Sequence, residues 1–262
     1  MMLVLVGLWI FSCTTSHEPA QLQVVSFDNM DSKTVTTESK SVIGYTLNQT
    51  LEASDRNDEI VAAENAGTLG KAASEYVYTW NGEWHVWSKT ESFNAFYAEF
   101  LSKVQYRKTN STGAVVKVPS QANYMHAYSS VKGTWGFVDG SPYGTYFNNF
   151  IDAEWNGMKT TDYLITAVGQ YKKENYCIYN GEDALLKYNV ALSIDKLTMK
   201  KGVAKATALY GTTVFEMNPW KATVVCDGTV DAKVTISKDD VVVNSYTLNL
   251  QDVFAELVDK LK

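Results

Sequence analysis

The sequence predicts a mainly β protein: an antiparallel meander forming a barrel or a sandwich, with one internal amphipathic helix and a C-terminal helix. Three observations predict it. Tyr, Thr, Val and Asn are plentiful, and these residues favour strands and turns over helix interiors. In the last third of the chain, apolar and polar residues alternate through successive short runs, the period of a sheet with one buried face. Asn-Gly and Asp-Gly pairs punctuate the chain at Asn81, Asn156, Asn180 and Asp227. Such pairs mark tight turns, because the central positions of a two-residue hairpin need positive φ.

In chain order the first element is a leader. Leu3 to Phe11 is an apolar run of nine residues, far short of the roughly 20 that a membrane-spanning helix needs. It suits the apolar region of an export signal, although no positive charge precedes it. The run ends in Ile10-Phe11-Ser12-Cys13. An aliphatic residue, a variable one, a small one and then Cys resemble a bacterial lipobox, and Phe-Ser-Cys after a short apolar run resembles the lipoproteins of Bacteroidota. The resemblance implies cleavage before Cys13, thioether lipidation of its sulfur, and anchorage to a membrane of the bacterial cell envelope. It covers 13 residues and concerns an address rather than a domain; whether the periplasmic or the surface face is meant stays open. Several acyl chains on one Cys anchor stably, since each buried methylene contributes about 0.8 kcal/mol.

Residues 1–12 are thus expected to be a signal peptide, and residues 13–75 an acidic, aromatic-poor tether or N-terminal segment. That segment has ten Asp or Glu against Lys33, Lys40, Arg56 and Lys71, and only Phe27 and Tyr45 as aromatics. Such a composition has little to bury. Residues 76–262 carry 29 of the aromatics and no net charge, and form the expected β-rich domain. No basic stripe is present to neutralise phosphates, which argues against nucleic acid as a partner.

The β region opens on Tyr-Val-Tyr-Thr-Trp-Asn-Gly-Glu-Trp-His-Val-Trp, residues 76–87. A turn centred on Asn81-Gly82 pairs Tyr78 with His85 and Tyr76 with Trp87. One face then holds Tyr76, Tyr78, Trp80, Glu83, His85 and Trp87. The other holds Val77, Thr79, Trp84 and Val86 and suits a core. The first face, flat rings mixed with polar edges, is the candidate ligand platform: sugar rings stack on such aromatics, with Glu or Asn for the hydroxyls. The competing reading is that these rings fill a β core, where each buries a large area.

After it, Phe93, Phe96, Tyr97, Phe100, Leu101 and Val104 recur at helical spacing, with Ser88 and Glu91 spaced as a capping box. This predicts the internal helix. Residues 185–194, 203–209, 220–226, 229–237 and 241–250 read as successive strands. Leu250, Phe254, Leu257, Val258 and Leu261 predict the terminal helix over 249–262, with Lys260 and Lys262 favourably placed at its C-terminus. Gly133-Thr134-Trp135 is similar to the Gly-x-Trp pattern of lipocalin-like barrels, and the resemblance implies a barrel in the C-terminal half.

Catalytic and metal signatures are lacking. His17, His85 and His126 stand apart from each other, and no spacing predicts a metal site or a cofactor. With Cys13 consumed by lipid, Cys177 and Cys226 remain, either as a disulfide or as two buried thiols. Asp152 and Glu154 share a strand face, as the carboxylates of a glycoside hydrolase would, but so do acids on many solvated strands. The expectation is a lipid-anchored envelope protein whose non-catalytic β domain binds a glycan or a small amphipathic molecule. The alternatives are a structural or assembly lipoprotein with a protein partner, and third a glycoside hydrolase.

Overall fold

The structure, a computed structural model, describes residues 22–68, 76–137 and 143–254. The signal peptide, Cys13 and the greater part of the predicted terminal helix lie outside these residues; helical backbone is present at 250–254. The chain runs through β1 (Gln23–Ser26), a long helix α1 (Ser32–Asn65), β2 (Val77–Trp80), β3 (His85–Phe93), β4 (Phe96–Arg107), β5 (Val115–Val116), β6 (Tyr124–Trp135) and β7 (Gly144–Asn156). It continues through β8 (Asp162–Tyr179), β9 (Glu182–Lys200), a single helical turn α2 (Lys205–Ala208), β10 (Leu209–Met217), β11 (Trp220–Asp227), β12 (Asp231–Lys238) and β13 (Val241–Asn249).

The strands form one open sheet in the order β13-β12-β11-β10-β9-β8-β7-β6-β4-β3-β2, with β5 beside β4 and β1 parallel to β9. Apart from β1 every pairing is antiparallel. This is the expected antiparallel meander, built as one open sheet. Two-residue turns make it possible. Asn180 and Gly181 both have positive φ, 54° and 87°, and join Tyr179 to its partner Glu182. Asp239 and Asp240 do the same between β12 and β13.

One face of the sheet is buried and packs on α1. On β9, Tyr188, Val190, Leu192 and Ile194 point inward while Lys187, Asn189, Ala191 and Ser193 are exposed. The same core takes Val104, Tyr106, Met125, Trp155, Ile165, Phe215, Val224 and Val234 from seven other strands. From α1 it takes Val35, Val42, Ile43, Leu47, Leu51 and Ile60.

α1 overturns the expectation that residues 13–75 have little to bury. The Asp31 carboxylate caps its start by accepting from the Thr34 N–H at 2.8 Å, satisfying one of the orphan donors of the first turn. Its 34 residues span about 51 Å. Five of its buried residues are Ser39, Thr46, Thr50, Ser54 and Asn57. The four hydroxyls are satisfied inside the helix, Thr46 on the Val42 carbonyl at 2.7 Å and Thr50 on that of Thr46 at 2.9 Å, with Ser39 and Ser54 bonding three residues back. A hydroxyl bonded this way enters a core with little desolvation cost. Asn57 instead reaches across the core, accepting from the Tyr106 hydroxyl at 3.1 Å.

The predicted internal helix over residues 93–104 is absent; β3 and β4 form a hairpin there. Asn94 has φ 48° and, with Ala95, turns the chain so that Phe93 faces Phe96. Phe96, Phe100 and Val104 lie on the inner face of β4 and Tyr97 and Leu101 on the outer. Apolar residues on both faces of one strand mimicked a helical period. Residues 203–209 also depart from expectation, forming α2 and its approach before β10 begins.

Candidate functional site

The aromatic hairpin forms, with a register two residues from the expected one. Tyr78 pairs with Trp87 and Trp80 with His85. The turn is Gly82-Glu83 rather than Asn81-Gly82: the Asn81 N–H donates to the Trp84 carbonyl at 3.2 Å, and the Asn81 side-chain oxygen accepts from the N–H of Glu83 and of Trp84. Gly82 leads this turn with φ 93°, which costs glycine little. A shift of two residues keeps every side chain on its face.

The faces, however, are used the other way round. Trp87 and His85 are buried, Tyr78 and Trp80 half-buried, and Val77, expected in the core, is 66% exposed. The ring face looks inward because α1 lies against it: the Arg56 guanidinium sits over the Tyr76 ring at 4.4 Å and the Trp87 ring at 5.5 Å. His85 is locked into the core. Its Nε2–H donates to the Lys117 carbonyl at 2.7 Å, which leaves Nδ1 to accept from the Tyr78 hydroxyl at 2.8 Å. Burial holds this imidazole neutral, pulling its pKa down to about 4. Glu83 is exposed at the turn and accepts from the Gln105 amide at 2.9 Å. Of the six predicted ligand residues, only Tyr76 lines the cleft described next.

That cleft, of about 450 Å³, opens between α1 and the inner face of the sheet. One wall is a stripe of α1: Tyr45, Asn48, Gln49, Glu52, Arg56 and Glu59, at three- and four-residue spacing. The opposite wall is Tyr76, Phe100 and Val131, with the Tyr76 and Phe100 rings in edge contact at 6.5 Å. Lys205 and Phe254 stand at the margin. The charges of the helical wall are paired with one another: Arg56 with Glu52 at 3.2 Å and Glu59 at 2.9 Å, and Asp55 with Lys205 at 2.5 Å. Glu52 also accepts from the Ser129 hydroxyl at 2.8 Å. The site is therefore two-sided, with rings and aliphatic carbon on the sheet and paired charges and amides on the helix. Sequence reasoning passed over the helical wall. The spacing 45, 48, 52, 56, 59 was the available signal, lost because the residues are polar.

The other candidates resolve more simply. Asp152 and Glu154 are on the outer face. Asp152 accepts from His126 Nε2–H at 2.5 Å, and Glu154 is hydrogen-bonded to Tyr124. Cys177 and Cys226 are free thiols. They sit on β8 and β11 with β9 and β10 between them, a separation of about 14 Å at normal strand spacing. That is beyond disulfide reach, so the disulfide reading falls. Burial pushes the Cys226 thiol up to about 11. Among the described residues no cluster of His, Cys, Asp and Glu forms a metal site, and no helix is long and apolar enough to cross a membrane.

The fold and the cleft define an open antiparallel sheet with one long helix packed on its inner face. No protein-family model, no curated protein and no solved structure matches the chain.

Proposed function

We propose that this chain is a lipid-anchored protein of the bacterial cell envelope whose open sheet binds a small amphipathic molecule in the cleft beside α1. The observation that carries the proposal is the two-sided cleft. Its volume falls in the range of ordinary ligand pockets, roughly 300–1,000 Å³. Tyr76, Phe100 and Val131 offer an apolar wall, and the Asn48 and Gln49 amides face it from the helix. Three carboxylates, Glu52, Asp55 and Glu59, face two cations, Arg56 and Lys205, an excess of one negative charge that disfavours an anionic head, so the ligand that fits has an uncharged hydrogen-bonding head and a short apolar body. A glycan platform on the 76–87 hairpin has less support, because His85 and Trp87 are spent in the core. The anchor rests on the Ile10–Cys13 resemblance.

Intact and native mass spectrometry of the chain isolated from its own envelope tests both halves. The expected masses are a chain that begins at acylated Cys13 and a one-to-one adduct of low molecular mass. An unprocessed, unacylated chain rejects the anchor. A chain that carries no adduct and takes up none from a lipid extract rejects the cleft.

A second reading, a structural lipoprotein that pairs with a protein, is favoured by β13. This edge strand has nine residues, and Val241, Val242 and Val243 are all exposed. Such an edge is a template for an added strand. Crosslinking from position 242 that captures one defined partner would support this reading.

A further inference from the structure

We propose that the outer face of the sheet, across β3, β4, β6 and β7, binds a neutral polysaccharide along a stripe of four rings: Trp84, His126, Tyr128 and Phe150. The inference goes beyond the cleft and beyond Cys13, and none of the four residues lines the cleft. It moves the stacking of sugars from the ring face of the 76–87 hairpin, spent in the core, to the opposite face.

The reversal of that hairpin starts the argument. It turns Trp84, which the sequence assigns to the core, to the outside of the sheet, where its ring meets that of His126 edge-on at 5.1 Å. His126 and Tyr128 alternate with buried Met125 and Ala127 on β6 and so share the outer face. Tyr128 lies diagonal to Phe150, because its register partner on β7 is Asp152. Those two rings are parallel within 16°, with centroids 6.3 Å apart. All four rings are half-buried, seated on the strands but partly in water. From Trp84 to Phe150 the stripe crosses three strand spacings and four residues of register. That is about 20 Å, the length of several sugar units. Elsewhere the outer face is different. On β11 and β12 it carries Lys221, Thr223, Val225, Lys233, Thr235 and Ser237 and no ring. A local gathering of apolar surface marks a binding place where scattered side chains do not.

The polar groups beside the stripe suit hydroxyls. Asp152 accepts from His126 Nε2–H at 2.5 Å, and exposed Glu154 is hydrogen-bonded to Tyr124. A carboxylate has two oxygens and about four lone-pair sites, so both acids keep acceptors for ligand hydroxyls, and a charged acceptor makes the stronger bond. The apolar face of a pyranose packs on the rings while its hydroxyls reach the acids at the side. Lys103 is the cation beside the rings, its ammonium 5.8 Å from the Tyr128 centroid. That is close to the limit for cation–π attraction, and the flexible lysine stem lets the ammonium swing aside. Two carboxylates against one ammonium repel a chain of uronic acids, and a neutral polysaccharide is the ligand that fits.

The test uses the full chain in native affinity electrophoresis, in gels cast with hydroxyethylcellulose, galactomannan or dextran as neutral probes and polygalacturonate as the anionic one. The expected result is retardation by at least one neutral probe and none by polygalacturonate. Trp84→Ala and Phe150→Ala are each expected to weaken binding at least about fivefold. The two side chains come from different strands, and a cooperative urea transition shows that each variant is folded. In the unaltered protein, carbethoxylation of His126, read by peptide mass, is expected to slow when the retarding probe is added, which locates the site without any substitution. Retardation by no neutral probe, or by polygalacturonate as strongly as by any neutral one, overturns the proposal. So does full binding by either folded variant, or His126 modified as fast with the probe as without it. Gln49→Trp, which fills the cleft, is expected to bind the polysaccharide as the wild type does, so the two sites are judged separately. Loss of binding in that variant would place the polysaccharide in the cleft and overturn the outer-face site.

Discussion

Replacing His85 with Gln is expected to remove a defined part of the pH dependence of stability. His85 is fully buried and neutral, donating to the Lys117 carbonyl and accepting from Tyr78. Its pKa falls to about 4 in the fold, against about 6.5 in the unfolded chain. Between those two values the unfolded chain binds a proton that the folded one refuses. The contribution of the neutral imidazole is therefore fully present above about pH 6.5 and is lost as pH falls toward 4. Integrated from pH 7 to pH 4.5, the loss is about 2 kcal/mol. Urea unfolding of wild type and His85→Gln at both pH values measures it. Carboxylate titrations affect both proteins and cancel in the difference. The variant starts less stable, because it gives up two buried hydrogen bonds, but falls less by about 2 kcal/mol on acidification. An equal fall in the two proteins would refute the buried neutral imidazole, and with it the assignment of the ring face to the core.

Other perturbations test other contacts. Arg56→Met leaves Glu52 and Glu59 without their cation and Tyr76 without its guanidinium, and is expected to cost about 2–3 kcal/mol in urea unfolding. The double change Thr46→Val/Thr50→Val is expected to cost under about 1 kcal/mol, since the hydroxyls bond only to carbonyls within α1. A larger loss would mean that they hold something else. Under native conditions a thiol reagent is expected to modify half-buried Cys177 well before Cys226, whose thiol burial raises to about 11. Equal rates would contradict the placement of Cys226 inside.

What was legible in the sequence follows from how each element is buried. β9 reads plainly because a sheet with one wet face alternates, and Tyr188, Val190, Leu192 and Ile194 keep that alternation. The Asn180-Gly181 turn reads plainly because few residue pairs take two positive φ values. α1 was hidden because Ser39, Thr46, Thr50 and Ser54 look solvated in one dimension and are satisfied by their own helix in three. Residues 93–104 misled because the first half of β4 carries large apolar side chains on both faces, Phe96 and Phe100 on one and Tyr97 and Leu101 on the other. The hairpin of residues 76–87 gave its faces correctly but not which was inward. That choice is made by Arg56, distant in sequence, which supplies the charge that settles over Tyr76 and Trp87. The cleft was illegible for the same reason, since its two walls meet only once α1 has docked.

The most direct test of the central claim is a titration of the purified chain with a fluorescent fatty-amide probe, a short acyl chain with an uncharged polar head, in wild type and in Gln49→Trp. Gln49 is half-buried on the helical wall, so the indole fills the cleft without entering the core. The account predicts saturable one-to-one binding to wild type and at least about tenfold weaker binding to the filled variant. Binding that never saturates, or that is as tight in Gln49→Trp as in wild type, would contradict it.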